Sequence, residues 1–196
     1  PDVWRAGAPI RRPGELLVVS WGRVQYEKGF QVLARAINEL RSRLPDVRGV
    51  IAGRGSYLPE LQTQIDVEGV SDIVDLPGYL PEAELRALVH RAGCVVIPSL
   101  YEPFGIVALE ALAAGAPLVV ARTGGLAELI AGTDAGVTFE PGNPDDLADV
   151  IERVLTDDDL AERLVASTRE LVERKYAWDA IAGATADVYD DARRGH

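Results

Sequence analysis

The strongest constraint on this chain is a repeated change of period, from short apolar runs to helical stripes and back. Leu16-Leu17-Val18-Val19 is a short apolar run, the mark of a strand buried on both faces. Phe30, Leu33, Ile37, Leu40 and Leu44 follow at spacings of three and four, one stripe of an amphipathic helix that Pro45 ends. Val50-Ile51-Ala52 supplies the next strand. The alternation then predicts a helix over Leu58 to Val67 and a short strand over Ile73 to Leu76. Pro81 stands where a first-turn proline belongs, ahead of Leu85, Leu88 and Val89. Strands over Cys94 to Ile97, Leu118 to Ala121 and Val137 to Phe139 are separated by helices over Gly105 to Ala114 and near Leu126 to Ile130. Strands alternating with helices make a parallel sheet covered on both sides. The expected fold class is therefore α/β, a doubly wound parallel sheet.

The two ends read differently. Pro1 to Gly14 hold three prolines and two glycines and read as a linker or loose arm. From Asp145 the reading is helical to the end, with Ala148, Ile151, Val154 and Leu155 on one stripe. A break at Lys175-Tyr176-Ala177 precedes a last helix near Trp178 to Arg193. Residues 15–175 are thus expected to form the α/β domain and 176–196 a helical tail.

Composition excludes several function classes. The 196 residues carry a net charge of −11, which disfavours nucleic acid as the main partner while leaving room for a small anion held by a few cations. Lys28 and Lys175 are the only lysines, Cys94 the only cysteine, and His90 and His196 the only histidines. An intrachain disulfide is impossible and a Cys- or His-based metal site is not expected. With a single cysteine, a reducing, cytosolic location fits, with the inner membrane face as a peripheral alternative for the full-length protein; no apolar stretch reaches a membrane span's length without a charge. The start at Pro1 and the lack of methionine are expected of a processed terminus or a piece of a longer protein.

Three glycine-containing turns follow expected strands: Gly22-Arg23, Gly53-Arg54-Gly55, and Ser99 to Gly105. In an open parallel sheet, ligands bind outside the carboxyl ends of the strands. Gly53 and Gly55 lack the third glycine of a dinucleotide fingerprint, since Leu58 occupies its place, and no P-loop run is present. In Gly22 to Gly29 (GRVQYEKG), Arg23 follows a strand end and Lys28 opens a helix. Two cations so placed suit a diphosphate; the alternative is a solvated pair partly neutralised by Glu27. In Tyr101 to Ala114 (YEPFGIVALEALAA), Gly105 begins a helix, where free N–H groups attract phosphate oxygens. Glu110 lies in an apolar helix, so it binds hydroxyls or pairs with an arginine such as Arg122. Glu102, eight positions earlier, is either a site acid or a helix-dipole partner.

Glu102 and Glu110 form an E-x7-E pair around Phe104-Gly105-Ile106, between GRVQYEKG and Thr123-Gly124-Gly125-Leu126. Together these motifs resemble the C-terminal domain of retaining GT-B glycosyltransferases, of the glycogen-synthase-like and mannosyltransferase-like family, from about Leu16 to Tyr189. The resemblance implies a nucleoside-diphosphate sugar as donor and a glycan or other acceptor hydroxyl. It implies that Arg23 and Lys28 hold the diphosphate and offset its charge as it leaves, a catalytic role shared with Glu102, and that Gly22 and Gly53 belong to the nucleotide-sugar site. Glu102 would lie by the donor sugar, Phe104, Gly105 and Ile106 would offer backbone N–H groups, and Glu110 would bind ribose. The turn at Gly78-Tyr79-Leu80 would sit against the base. No metal or other cofactor is implied. The TGGL segment favours glucose from UDP or ADP, with GDP-mannose next; a nucleotide-sugar 2-epimerase and a non-catalytic nucleotide-binding module are the rivals. The acceptor-binding domain of that family comes first in sequence, and the tail helix is expected to pack on it.

Overall fold

Leu17 to Trp21 form the first strand, β1, and every residue of it is buried. The computed structural model of the chain describes Trp4 and residues 15–194, so the expected arm over residues 1–14 and the terminal His196 lie, Trp4 apart, outside the described residues. After a 3-10 turn at Tyr26–Lys28 come α1 (Phe30–Arg41), β2 (Arg48–Ala52), α2 (Leu58–Val67) and β3 (Val74–Gly78). Then follow α3 (Glu82–Arg91), β4 (Cys94–Ile97), α4 (Ile106–Ala114), β5 (Leu118–Ala121), α5 (Gly124–Ile130) and β6 (Val137–Phe139). The chain continues as α6 (Pro144–Thr156), α7 (Asp158–Lys175) and α8 (Trp178–Arg194).

The six strands form one sheet in the order β3-β2-β1-β4-β5-β6, every pairing parallel. The expected doubly wound α/β fold is the observed one. Side chains alternate across it. Val18, Val96, Val119 and Phe139 bury against α1 and α6 on one face. Val19, Val95 and Val120 bury against α3, α4, α5 and α7 on the other. Strand order reverses between β1 and β4, leaving a crevice at their carboxyl ends because successive crossovers leave in opposite directions.

Several boundaries differ from the sequence reading, each for a local reason. The stripe through Leu44 overshoots α1, which stops at Arg41; Leu44 is held instead by its N–H to the Leu40 carbonyl at 2.7 Å. Pro81 caps α3 from outside rather than filling its first turn, with φ −56° and ψ 150°. The helical run starts one residue before Asp145, since Asn143 Oδ1 accepts from the N–H groups of Asp145 and Asp146 ahead of Pro144. That run is also divided at Asp157, whose carboxylate accepts from Leu160 N at 2.8 Å and starts α7.

α7 packs back on α4. α8 buries none of its residues and leaves Trp178, Val188 and Tyr189 exposed. Among the described residues no helix is long and apolar enough to cross a membrane.

Candidate active site at the strand-order reversal

A cleft of about 440 Å3 opens at the carboxyl ends of β1 and β4, where the strand order reverses. Gly22, Arg23, Lys28, Glu102, Phe104 and Ile106 all line it. Residues up to 84 positions apart are joined there because β1 and β4 are neighbours in the sheet.

Lys28 reaches its place through a tight turn. Gly29, at φ 69°, closes the 3-10 turn and starts α1 in a conformation that costs a side-chain-bearing residue. A Cβ on Gly29 would also sit 1.9 Å from the Pro98 carbonyl oxygen. The turn is docked on the neighbouring loop, as the N–H of Leu100 donates to the Glu27 carbonyl at 2.8 Å. Lys28 Nζ then donates to Glu102 Oε2 at 2.6 Å. Its partner is therefore Glu102, and the pairing with Glu27 weighed from sequence is not formed. Arg23 is exposed at the mouth of the cleft.

Glu102 is only 8% exposed, so its charge must be compensated. Burial pushes its carboxyl up, but the hydrogen bond and charge of Lys28, with the backbone N–H groups of Gly105 and Phe104, outweigh burial and hold it below the usual range. The N–H of Gly105 donates to Glu102 Oε1 at 3.3 Å, so the donor at the start of α4 is engaged by the protein's own carboxylate. Two glycines of the TGGL segment seat this loop: Gly125 N donates to the Glu102 carbonyl at 3.0 Å, and a Cβ on Gly124 would approach that oxygen to 2.5 Å.

Glu110 lies on α4 behind the cleft wall. Trp21 Nε1 donates to its Oε2 at 3.1 Å, while the expected alternative partner, Arg122, pairs with Glu140. Burial pushes the Glu110 carboxyl up, the Trp21 bond pulls it down, and the nearby Glu82 charge adds to the upward shift. Trp21 lines the cleft and stacks on Trp4, with ring centroids 5.8 Å apart. Sequence reasoning missed Trp21. Its signal was a ring with a polar edge at the carboxyl end of a buried strand, directly before Gly22-Arg23.

The remaining expected residues stand apart from this cleft. Gly53 and Gly55 pack the β2 turn against the β1 turn: a Cβ on Gly53 would lie 1.8 Å from the Gly22 oxygen, and one on Gly55 1.9 Å from the Val24 oxygen. The structural alternative for this G-x-G thus has a physical cause. Tyr79 is exposed beyond β3 with the Arg54 guanidinium 5.5 Å from its ring centre, and Leu80 packs against the α3 side of the core. Among the described residues no three His, Cys, Asp or Glu side chains gather as a metal site.

Glu110→Gln tests how the core tolerates this acid. The amide still offers an oxygen to Trp21 and removes a desolvated charge, so the variant should melt within about 2 °C of wild type at pH 7. Because the folded carboxyl titrates above its unfolded value, the charged form is penalised above that folded value, and the penalty is relieved as pH falls through it. Any gain from the amide should therefore shrink in acid. A large loss of stability at pH 7 would show that the carboxylate anchors the fold.

Comparison with known proteins places this geometry in a family. Residues 7–171 match the family described as Glycosyl transferases group 1. A Mycobacterium tuberculosis protein named glycogen synthase is 40% identical over 190 residues, covering 97% of this chain and 45% of the relative. An uncharacterized glycosyltransferase of Methanocaldococcus jannaschii is 42% identical over 178 residues, covering 89% and 45%. The chain thus spans about half the length of the curated relatives it matches. Among solved structures, a sucrose-phosphate synthase from Thermosynechococcus elongatus superposes with a TM-score of 0.80 at 27% identity, covering 94% of this chain and 47% of that one. An Anabaena protein crystallised with UDP and glucose shares the fold, with a TM-score of 0.81 at 24% identity over 91% of this chain and 49% of that one.

Proposed function

The chain belongs to the group 1 glycosyl transferases, and on that premise we propose that residues 15–175 are the nucleotide-sugar-binding domain of a retaining glycosyltransferase. The whole enzyme moves a hexose, glucose in the first instance, from a nucleoside-diphosphate sugar to a glycan or other acceptor hydroxyl. The observation that carries this reading is the cleft at the strand-order reversal, with Lys28 and Glu102 ion-paired on its wall at 2.6 Å. A diphosphate entering there meets Arg23 and Lys28, which offset the charge that grows as the leaving group departs; preorganised charge of this kind is usually the largest catalytic contribution. Glu102, held by Lys28, positions the sugar, and no metal is needed in this scheme. The name of the M. tuberculosis relative supports glucose as the hexose. A second domain, supplied by the other half of a full-length enzyme, holds the acceptor, and the exposed apolar residues of α8 pack on it.

A calorimetric screen of UDP-, ADP- and GDP-glucose, with GDP-mannose as the contrast, tests the proposal on this chain. Saturable binding of one glucose nucleotide and none to the free sugar is expected. Failure of all four to bind at millimolar concentration would overturn it.

A further inference from the structure

Trp21 lines the cleft and also hydrogen-bonds Glu110. It ends β1 beside Gly22 and Arg23, it is 7% exposed, and its indole N–H is committed to Glu110 Oε2 at 3.1 Å. Its ring is held from the other side by Trp4, at an interplanar angle of 20°. A carboxylate on a helix can adopt several rotamers, and each lost rotamer must be offset by a bond. A neutral N–H that fixes one carboxylate oxygen leaves the negative charge in place and the second oxygen directed by the first. An arginine in the same position would neutralise the acid and occupy both oxygens.

We propose that Trp21 is a positioning residue for the donor nucleotide: its indole N–H holds Glu110 in the rotamer that presents the second carboxylate oxygen to a ribose hydroxyl, and Trp4 braces the ring. The inference rests on the donor-binding reading above and adds to it a residue that touches no reacting atom. It follows that the ribose selectivity of the cleft depends on the indole nitrogen and not only on the acid. Trp21→Phe keeps an aromatic six-membered ring beside Trp4 and removes the pyrrole half of the indole together with its N–H donor.

The test compares UDP with 2′-deoxy- and 3′-deoxy-UDP by calorimetry on the wild type, Trp21→Phe, Glu110→Gln and the double variant. In the wild type, removing the hydroxyl that meets Glu110 should weaken binding roughly tenfold, a hydrogen bond to a charged group being at stake. In Trp21→Phe that ratio should collapse towards one, with UDP itself roughly tenfold weaker. The double variant should bind no more weakly than Glu110→Gln, because both changes remove one coupled unit. An undiminished deoxy ratio in Trp21→Phe, or additive losses in the double variant, would overturn the role of Trp21 while leaving donor binding intact. Absence of UDP binding by the wild type would instead remove the donor reading and this inference with it.

A second measurement needs no Trp21 variant. The chain has three tryptophans, so isotope-labelled protein shows few indole N–H signals by NMR. One of them should move in Glu110→Gln, and the same one should move when UDP is titrated into the wild type. UDP saturation without a shift of that signal would overturn the proposal.

Discussion

Lys28→Ala should lower stability by about 3 kcal/mol at pH 7, a fall of roughly 6–12 °C in melting temperature for a domain of this size. Lys28 and Glu102 side chains are 21% and 10% exposed, so the pair is shielded from water well beyond an ordinary surface ion pair. Removing the lysine leaves the carboxylate with the neutral N–H groups of Gly105 and Phe104 and a distant Ser99 hydroxyl at 3.5 Å, but with no opposite charge to offset its lost hydration. The pH dependence follows from the direction of the Glu102 shift. Its folded value lies below the unfolded one, so its contribution is present above the unfolded value and is lost as pH falls through the folded value. In Lys28→Ala burial is no longer outweighed, and the acid becomes easier to protonate. The gap between wild type and variant should therefore be widest near neutrality and narrow as pH falls through the raised value of the variant's carboxyl towards the lowered value of the wild type's. Lys28→Ala with Glu102→Gln should recover most of the loss at pH 7, since no buried charge is left unpaired. Thermal melts of the three proteins at two pH values check this; equal stability of the two variants at pH 7 would show that the carboxylate is not what the lysine stabilises. Nucleoside-diphosphate affinity should fall in Lys28→Ala by about 1.5–3 kcal/mol, with uridine little affected, if the lysine also meets phosphate.

The second large effect is expected from a single methyl group. Gly125→Ala should weaken UDP binding by more than about tenfold, with a stability loss of about 1–3 kcal/mol. A Cβ at this position would lie 2.5 Å from the Pro103 oxygen, 2.9 Å from its carbonyl carbon and 3.1 Å from the Phe104 Cα. All three are backbone atoms, so no side chain can swing aside and the Glu102 loop must move. That displacement pulls Glu102 from Lys28 and lifts Phe104 from the cleft rim. Gly183→Ala is the control: its Cβ meets nothing within 4 Å, and alanine within α8 should stabilise by about 0.5–1 kcal/mol without touching binding. Wild-type affinity in Gly125→Ala would show that the loop is not held by this contact.

Alternation of apolar runs with helical stripes determined the α/β class, because a strand buried on both faces and a helix buried on one leave different periods in the residues themselves. The order of motifs determined that Arg23, Lys28, Glu102, Phe104 and Ile106 would gather in one cleft, since successive crossovers of a parallel sheet return every turn to the same edge. Local chemistry marked the break at Lys175-Tyr176-Ala177, whereas the caps at Asn143 and Asp157 emerged only from the folded chain. Pair choice was another matter. Lys28 with Glu102, Trp21 with Glu110 and Arg122 with Glu140 join residues 74, 89 and 18 positions apart, where the sequence had offered Glu27 to the cations and Arg122 to Glu110. Only the packed strands, with β1 against β4 and β5 against β6, brought one candidate within hydrogen-bond reach and held the others away. The glycines divide in the same way. Their presence in the turns was plain from the sequence, but whether a missing Cβ admits a ligand or a neighbouring backbone depends on what lies across the gap, and at Gly53, Gly55 and Gly125 it is backbone.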